Sequence, residues 1–163
     1  MKINYTPGPL LDASRTTPTA LWNDSADLDE LRQSIAFGGV GATCNPVIGY
    51  TTIKKHPDIW EDRIRAIAEN NPTWGESQIG WQAIKDMSVE AAKLLEPIFV
   101  EHKGRNGRLS IQTDPRLHRD AKALADQAEE FSNLAPNIIV KIPCTSVGIE
   151  AIEEATYLSL IHI

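Results

Sequence analysis

The sequence is poor in the features that mark several protein classes. Cys44 and Cys144 are its only cysteines; they lie far apart without paired spacing, which argues against a zinc site or a disulfide framework and for two reduced thiols. No uninterrupted apolar stretch approaches membrane-spanning length, and the N-terminus, Met1 to Pro7, lacks an apolar signal core. Positive charge is short: the net charge of -6 argues against nucleic-acid or anionic-membrane partners and suits a cytoplasmic protein. There is no solenoid repeat, no low-complexity tract and no shared ligand spacing among His56, His102, His118 and His162. What remains, 163 residues of ordinary apolar and charged content, is enough for one domain with a real core.

Apolar periodicity divides that domain into alternating elements. Residues 1–18, rich in Pro, Thr and Ser, read as an extended lead-in. Thr19 to Asp24 reads as a first strand, and Asp27 with Glu30 forms a capping-box pattern for a helix carrying Leu28, Leu31 and Ile35 on one face. Val40 to Thr43 is a second strand, ended by Cys44-Asn45-Pro46. A long helical region follows, with Trp60, Ile64 and Ile67 on one face, a break at Asn70-Asn71-Pro72, and a second piece through Ile84, Met87 and Ala91 that Pro97 kinks or ends. Arg108 to Thr113 alternates as a third strand. Asp114 and Pro115 predict a helix start, with Leu117, Ala121, Leu124, Ala128 and Phe131 on its buried face. Asn137 to Pro143 is the fourth strand, and Thr145 or Ser146 caps a last helix with Ile149, Ile152 and Ala155 on one face.

Strands alternating with amphipathic helices imply an α/β fold with a parallel sheet. A doubly wound sheet and a (β/α) barrel both fit this order. The first binds phosphates through a glycine-rich turn after strand one, but here that turn is Asp24-Ser25-Ala26. In a barrel the chemistry gathers where the strands end at their C-termini. The residues there are Asp24, Asn45, Gln112 and Lys141: a carboxylate, two amides and an amine. Lys141 closes the apolar run Ile138-Ile139-Val140, where a lysine is expected to be partly desolvated. Desolvation disfavours the ammonium, and a neutral amine can form a Schiff base with a carbonyl substrate. Each residue also has a plainer use: Asp24 or Ser25 as a helix cap, Asn45-Pro46 as a turn, Gln112 pointing outward, Lys141 reaching to water. The tryptophans Trp22, Trp60, Trp74 and Trp81 read as packing residues, and Lys54-Lys55 as a solvated helix end.

Trp22-Asn23-Asp24-Ser25, Thr43-Cys44-Asn45-Pro46, Gln112-Thr113-Asp114-Pro115-Arg116-Leu117 and Val140-Lys141-Ile142-Pro143 resemble, in order, the motifs of the transaldolase family. The resemblance covers residues 19–157. It implies a TIM-barrel fold of which only the first four β/α units are present, a half-barrel fragment, where a full barrel has eight strands and about 250 residues. It implies transfer of a dihydroxyacetone unit between sugar phosphates in the pentose phosphate pathway. Lys141 matches the Schiff-base lysine, Asp24 the proton-transfer aspartate and Asn45 the asparagine that holds the dihydroxyacetone unit. Sugar phosphates are the implied partners, with no cofactor or metal, and a homo-oligomer is possible. Most transaldolases have glutamate at the position of Gln112, whereas the related fructose-6-phosphate aldolases have glutamine, so a lyase is the alternative. A non-enzymatic half-barrel is the third reading. Residues 158–163 do not resemble the family's fifth-strand region and read as a non-native or frame-error tail, so the chain itself is expected to be an inactive fragment.

Overall fold

The computed structural model describes residues 8–159. Four strands, β1 (Leu21–Asn23), β2 (Gly39–Cys44), β3 (Arg108–Gln112) and β4 (Ile138–Lys141), form one parallel sheet in the order β1-β2-β3-β4. That order decides between the two architectures. A doubly wound sheet reverses direction at a switch point, whereas strands laid down in sequence order are those of a (β/α) barrel. The fold is α/β, four consecutive β/α units of the barrel type.

Strand alternation gives the sheet two unlike faces. Ala42, Cys44, Leu109, Ile111, Ile138 and Val140 are buried under the helices. Register puts Trp22, Gly41, Thr43, Ser110, Gln112, Ile139 and Lys141 on the other face, which no helix covers among the described residues. On that face the Trp22 ring lies flat against Gly41: a Cβ there would come within 2.5 Å of the ring carbons, so only glycine admits the contact. Trp22 remains 40% exposed, unlike the buried Trp60 and unlike Trp81, whose ring centroid lies 5.5 Å from that of Phe131.

The helices form where the apolar stripes predict, with five departures. Residues 9–16 are not extended: α1 (Pro9–Thr16) is a short helix that buries Leu11, begun by a proline whose fixed φ suits a first turn. Residues 1–7 of the expected lead-in lie outside the described residues. α2 (Leu28–Ala36) starts where expected. The helical region after β2 contains an additional corner: α3 (Pro46–Lys55) ends at His56 and α4 (Pro57–Asn70) begins at once, because Pro57 has no N–H to continue the first helix. Pro97 does not end α5 (Glu76–Glu101); it lies on the solvent side, where water can take the carbonyl it leaves unpaired. Ala83, Ile84, Met87, Ala91, Ala92 and Leu95 make the stripe that α5 lays on the core.

The fourth departure is the helix start after β3. Asp114 caps only a single 3-10 turn, Pro115–Leu117, and Asp120 caps α6 (Ala121–Ser132) by accepting from the Ala123 N–H. Leu117 therefore lies outside the α6 face, which is Leu124, Ala125, Ala128 and Phe131. In the fifth, α7 (Ser146–Tyr157), capped by Thr145, buries Gly148, Ala151 and Ala155 against its neighbours and leaves Ile149 exposed. Leu158 and Ser159 close α7, and residues 160–163 of the expected tail lie outside the described residues. No described helix is long and apolar enough to cross a membrane.

Candidate active site

The first strand delivers Asp24 to the sheet's C-terminal rim, and the following loop frees it from structural duty. Asp27, three residues on, is the cap of α2: its Oδ1 accepts from the Asp29 and Glu30 N–H groups, each at 3.0 Å. The expected capping box is only half formed, because the Asp27 N–H goes to Ser25 Oγ and the Glu30 carboxylate goes to Lys55. Asp24 is exposed, and its Oδ1 accepts a 2.6 Å hydrogen bond from the Thr43 hydroxyl on β2. Thr43 is a site residue that the sequence reading passed over. Its signal was available, since it stands two residues before Asn45 and so on the same face.

Asn45 takes the structural role weighed for it. Its Oδ1 caps α3, accepting from the Val47 and Ile48 N–H groups at 2.9 Å. Its amide NH2 has no partner among the described residues and is the donor left for a ligand. Gln112 is half-buried, and its side chain likewise has no hydrogen-bond partner among the described residues. It is the register partner of Lys141, so the two side chains stand side by side on adjacent strands. Extending the β2–β3 register by one residue aligns Asn45 with Gln112. Asn45, Gln112 and Lys141 thus form one row at the rim, and Asp24 and Thr43 stand beside each other two residues below it, level with Ser110.

Lys141 differs from expectation. Burial along β4 covers Ile138, Ile139 and Val140 and stops there; Lys141 is exposed, not partly desolvated. The physical reason is its place at the last position of an edge strand, at the rim; Ile139, two residues earlier on the same face, is still buried. Its amine has no ion-pair or hydrogen-bond partner among the described residues. The backbone around it is fixed all the same. Its carbonyl accepts from the Thr113 N–H at 3.1 Å, and the first turn of α7 abuts the chain just beyond it. A Cβ at Gly148 would meet the Pro143 carbonyl oxygen at 1.9 Å, so that approach requires glycine.

Behind the rim, two carboxylates hold the loops that carry it. Asp27, 1% exposed, accepts at Oδ2 from His56 Nε2 at 2.7 Å and from Lys55 Nζ at 3.1 Å. Burial by itself would raise its carboxyl, but the Glu30 N–H, His56 and Lys55 outweigh burial and hold it at about 2. Lys55 is thus an ion-pair partner of both Asp27 and Glu30, not merely a solvated helix end, and His56 is the corner residue of a clamp. Asp114 does the same work after β3. It receives the Trp81 indole N–H at 2.9 Å and pairs with the Arg116 guanidinium, while its own N–H donates to Gln127. Its carboxyl, which burial would raise, is held below the ordinary value chiefly by Arg116. Asn137, fully buried, ties the start of β4 to α5 and to β3 through the Ala92 and Gly107 carbonyls. Among the described residues, no three His, Cys, Asp or Glu side chains converge as a metal site would require.

A barrel-type sheet with its unengaged polar side chains gathered at the C-terminal rim defines a (β/α)-class protein. The sequence places it more narrowly. The chain belongs to the transaldolase/fructose-6-phosphate aldolase family, whose family model matches residues 21–159. It is 32% identical to the transaldolase of Thiobacillus denitrificans over 149 residues, covering 86% of this chain and 41% of that protein. Transaldolase 2 of Streptomyces avermitilis is 34% identical over 125 residues, 74% of this chain and 32% of that protein. The transaldolase of Kocuria rhizophila is 30% identical over 153 residues, 84% of this chain and 41% of that protein. The chain thus spans about a third to two-fifths of the length of these curated relatives.

Proposed function

We propose that this chain carries the Schiff-base half of a transaldolase-type active site. The observation that carries the reading is the row on the uncovered face: an unpaired Lys141 amine beside the Gln112 amide, with the Asp24 carboxylate at the far strand of the same rim. Lys141 Nζ attacks the ketose carbonyl and, with loss of water, forms an iminium. Asp24 takes the proton from the substrate hydroxyl as the adjacent carbon–carbon bond breaks, and the bond's electron pair flows into the iminium. The aldose leaves. The dihydroxyacetone unit stays on Lys141 as an enamine, which then attacks the acceptor aldehyde while Asp24 returns the proton. The Thr43 hydroxyl orients the Asp24 carboxylate, and the Asn45 NH2 donates to the bound unit's hydroxyls. The substrates are sugar phosphates, and the setting is the pentose phosphate pathway of the cytoplasm. Four strands supply one side of a barrel's C-terminal rim, so turnover is ascribed to a complete eight-stranded barrel and not to these four strands alone.

Borohydride reduction with a ketose phosphate, in a full-length barrel carrying this segment, is expected to add the mass of the donor fragment at Lys141. Trapping that persists undiminished in Lys141→Ala would overturn the assignment.

Gln112 favours a second reading, a lyase of the fructose-6-phosphate aldolase kind. A neutral amide can orient water but cannot take its proton. Acceptor dependence separates the two: a transferase needs an aldose phosphate acceptor, whereas a lyase releases free dihydroxyacetone without one.

A further inference from the structure

We propose that His56 is a positioning residue for the Asp24 carboxylate, acting through Asp27 to hold the turn between β1 and α2 against the end of α3. The proposal rests on the reading of Asp24 as the proton-transfer group.

The β1–β2 ladder ends at Asn23 and Ala42, so Asp24 lies one residue beyond the last paired position. Its side chain is held by one bond, from the Thr43 hydroxyl at 2.6 Å. The turn that follows fixes its backbone. The Asn23 amide donates to the Ser25 carbonyl at 2.8 Å, and the Asp27 N–H donates to Ser25 Oγ at 3.1 Å. Ala26 and Asp27 are both buried. The place of Asp24 is therefore set by the place of Asp27.

Asp27 is anchored on two sides. Its Oδ1 takes the two N–H groups that open α2, and its Oδ2 takes His56 at 2.7 Å and Lys55 at 3.1 Å. The first pair ties the turn to its own helix, and the second ties it to the corner between α3 and α4. Lys55 is nearly half exposed and also pairs with Glu30, so water competes for it. His56 is the stiffer arm. Its N–H donates to the Thr52 carbonyl, and its own carbonyl accepts from the Ile59 and Trp60 N–H groups, so its backbone closes one helix and opens the next. Trp60, one turn further on, is buried in the core.

The same helix carries Asn45 as its N-cap. One rigid element thus sets the Asn45 NH2 at its start and, through His56 and Asp27, the Asp24 carboxylate at its end. A cleft lined by Asp24, Ser25, Asp27, Val47 and Thr52 lies between the turn and α3, leaving room for the turn to shift once the clamp is cut. A displacement of about 1 Å in a reacting group can cost about a hundredfold in rate.

Steady-state kinetics in a full-length barrel carrying this segment test this, with rates expressed per folded molecule and the folded fraction read by circular dichroism. His56→Ala is expected to lower kcat about ten- to a hundredfold and to leave KM within about twofold. His56→Gln keeps an N–H donor for Asp27 and is expected to return kcat to within about threefold of the parent. In an Asp24→Asn background, His56→Ala is expected to cost less than about twofold, because a residue that acts through Asp24 has nothing left to place. Borohydride reduction with free dihydroxyacetone forms the Lys141 adduct without carbon–carbon cleavage. Its yield is expected to be unchanged in His56→Ala, since two strands separate Lys141 from Asp24. An unchanged kcat in His56→Ala overturns the proposal. So does a loss that glutamine fails to recover, one that persists in full in the Asp24→Asn background, or one matched by an equal loss of adduct. In those cases a slow Asp24→Asn variant and an adduct at Lys141 in the parent leave the catalytic reading standing. Near-normal turnover in Asp24→Asn, or an adduct that survives Lys141→Ala, overturns that reading and this proposal with it.

Discussion

Asp24 and Asp27 lie in one loop, and their surroundings are opposite. Asp27 is buried and takes hydrogen bonds from two backbone N–H groups, His56 and Lys55. Asp24 is exposed on the uncovered face, with one hydroxyl against it. The difference repeats across the sheet. On the helix-covered side, polar groups such as Asp114 and Asn137 are saturated by fixed partners; on the rim, Lys141, Gln112 and the Asn45 NH2 are left with none among the described residues. Saturated polar groups hold a structure in one state, while unsaturated ones placed in register on rigid strands are free to meet a ligand. One exception sharpens the contrast. Thr113, at the exit of β3, is fully buried, and its hydroxyl has no hydrogen-bond partner among the described residues.

The largest effect expected from breaking the contrast is on the rim. In a full-length barrel carrying this segment, Asp24→Asn is expected to lower turnover by about two to four decades, the usual span for a lost proton-transfer group. Its melting temperature is expected to stay near that of the parent, because the residue is exposed and caps nothing. Near-normal turnover in that variant would make Asp24 another structural carboxylate.

Asp27→Ala is expected to do the reverse. It removes an N-cap, typically worth about 1 kcal/mol, together with the charge-assisted bonds to His56 and Lys55. A loss of about 3 kcal/mol in urea unfolding is expected, with any effect on borohydride trapping at Lys141 following the fraction folded. A variant as stable as the parent would remove the clamp from the account.

Acid titration probes the same carboxylate more gently. The folded Asp27 carboxyl is held at about 2, below its ordinary 3.8. A depressed carboxylate stabilises the fold above its unfolded value. Its contribution, about 2 kcal/mol, is therefore complete above roughly pH 4 to 5 and lost as the pH falls towards 2. Urea midpoints measured from pH 6 down to pH 2 should show that slope flatten in Asp27→Asn.

The smallest effect concerns the two thiols, which sample the two sides directly. Cys44 lies in β2 under the helices, and burial pushes its thiol up to about 11. Cys144 is exposed at the rim, just past Lys141. A disulfide reagent at neutral pH is expected to label Cys144 at once and Cys44 only on unfolding. Two equally fast thiols would mean that the covered face is not closed.

Most of the architecture was legible before the structure. The alternating strands and striped helices predicted four parallel β/α units, and the missing glycine-rich turn after β1 pointed away from a doubly wound sheet. The rim residues were legible because a strand's C-terminal end can be read from where its apolar run stops. Helix starts were less so. Aspartate cap signals occur at both Asp114 and Asp120, with Pro115 favouring the first, and one-dimensional pattern cannot say which cap wins once Trp81 and Arg116 bind the first carboxylate. The α1 helix was missed because a Pro-, Thr- and Ser-rich segment has little intrinsic preference for helix, and packing of Leu11 supplied the rest.

By itself the chain determined which residues end the strands, which side of each strand is apolar, and which motifs tie it to its family, because these depend only on period, composition and order. Tertiary structure alone decided that Lys141 is exposed, that Thr43 rests on Asp24, and that Asp27 rather than Asp24 is locked in place. Exposure and pairing depend on what distant segments cover. His56 reaches Asp27 across 29 positions of sequence, a partnership that no local pattern in the chain encodes.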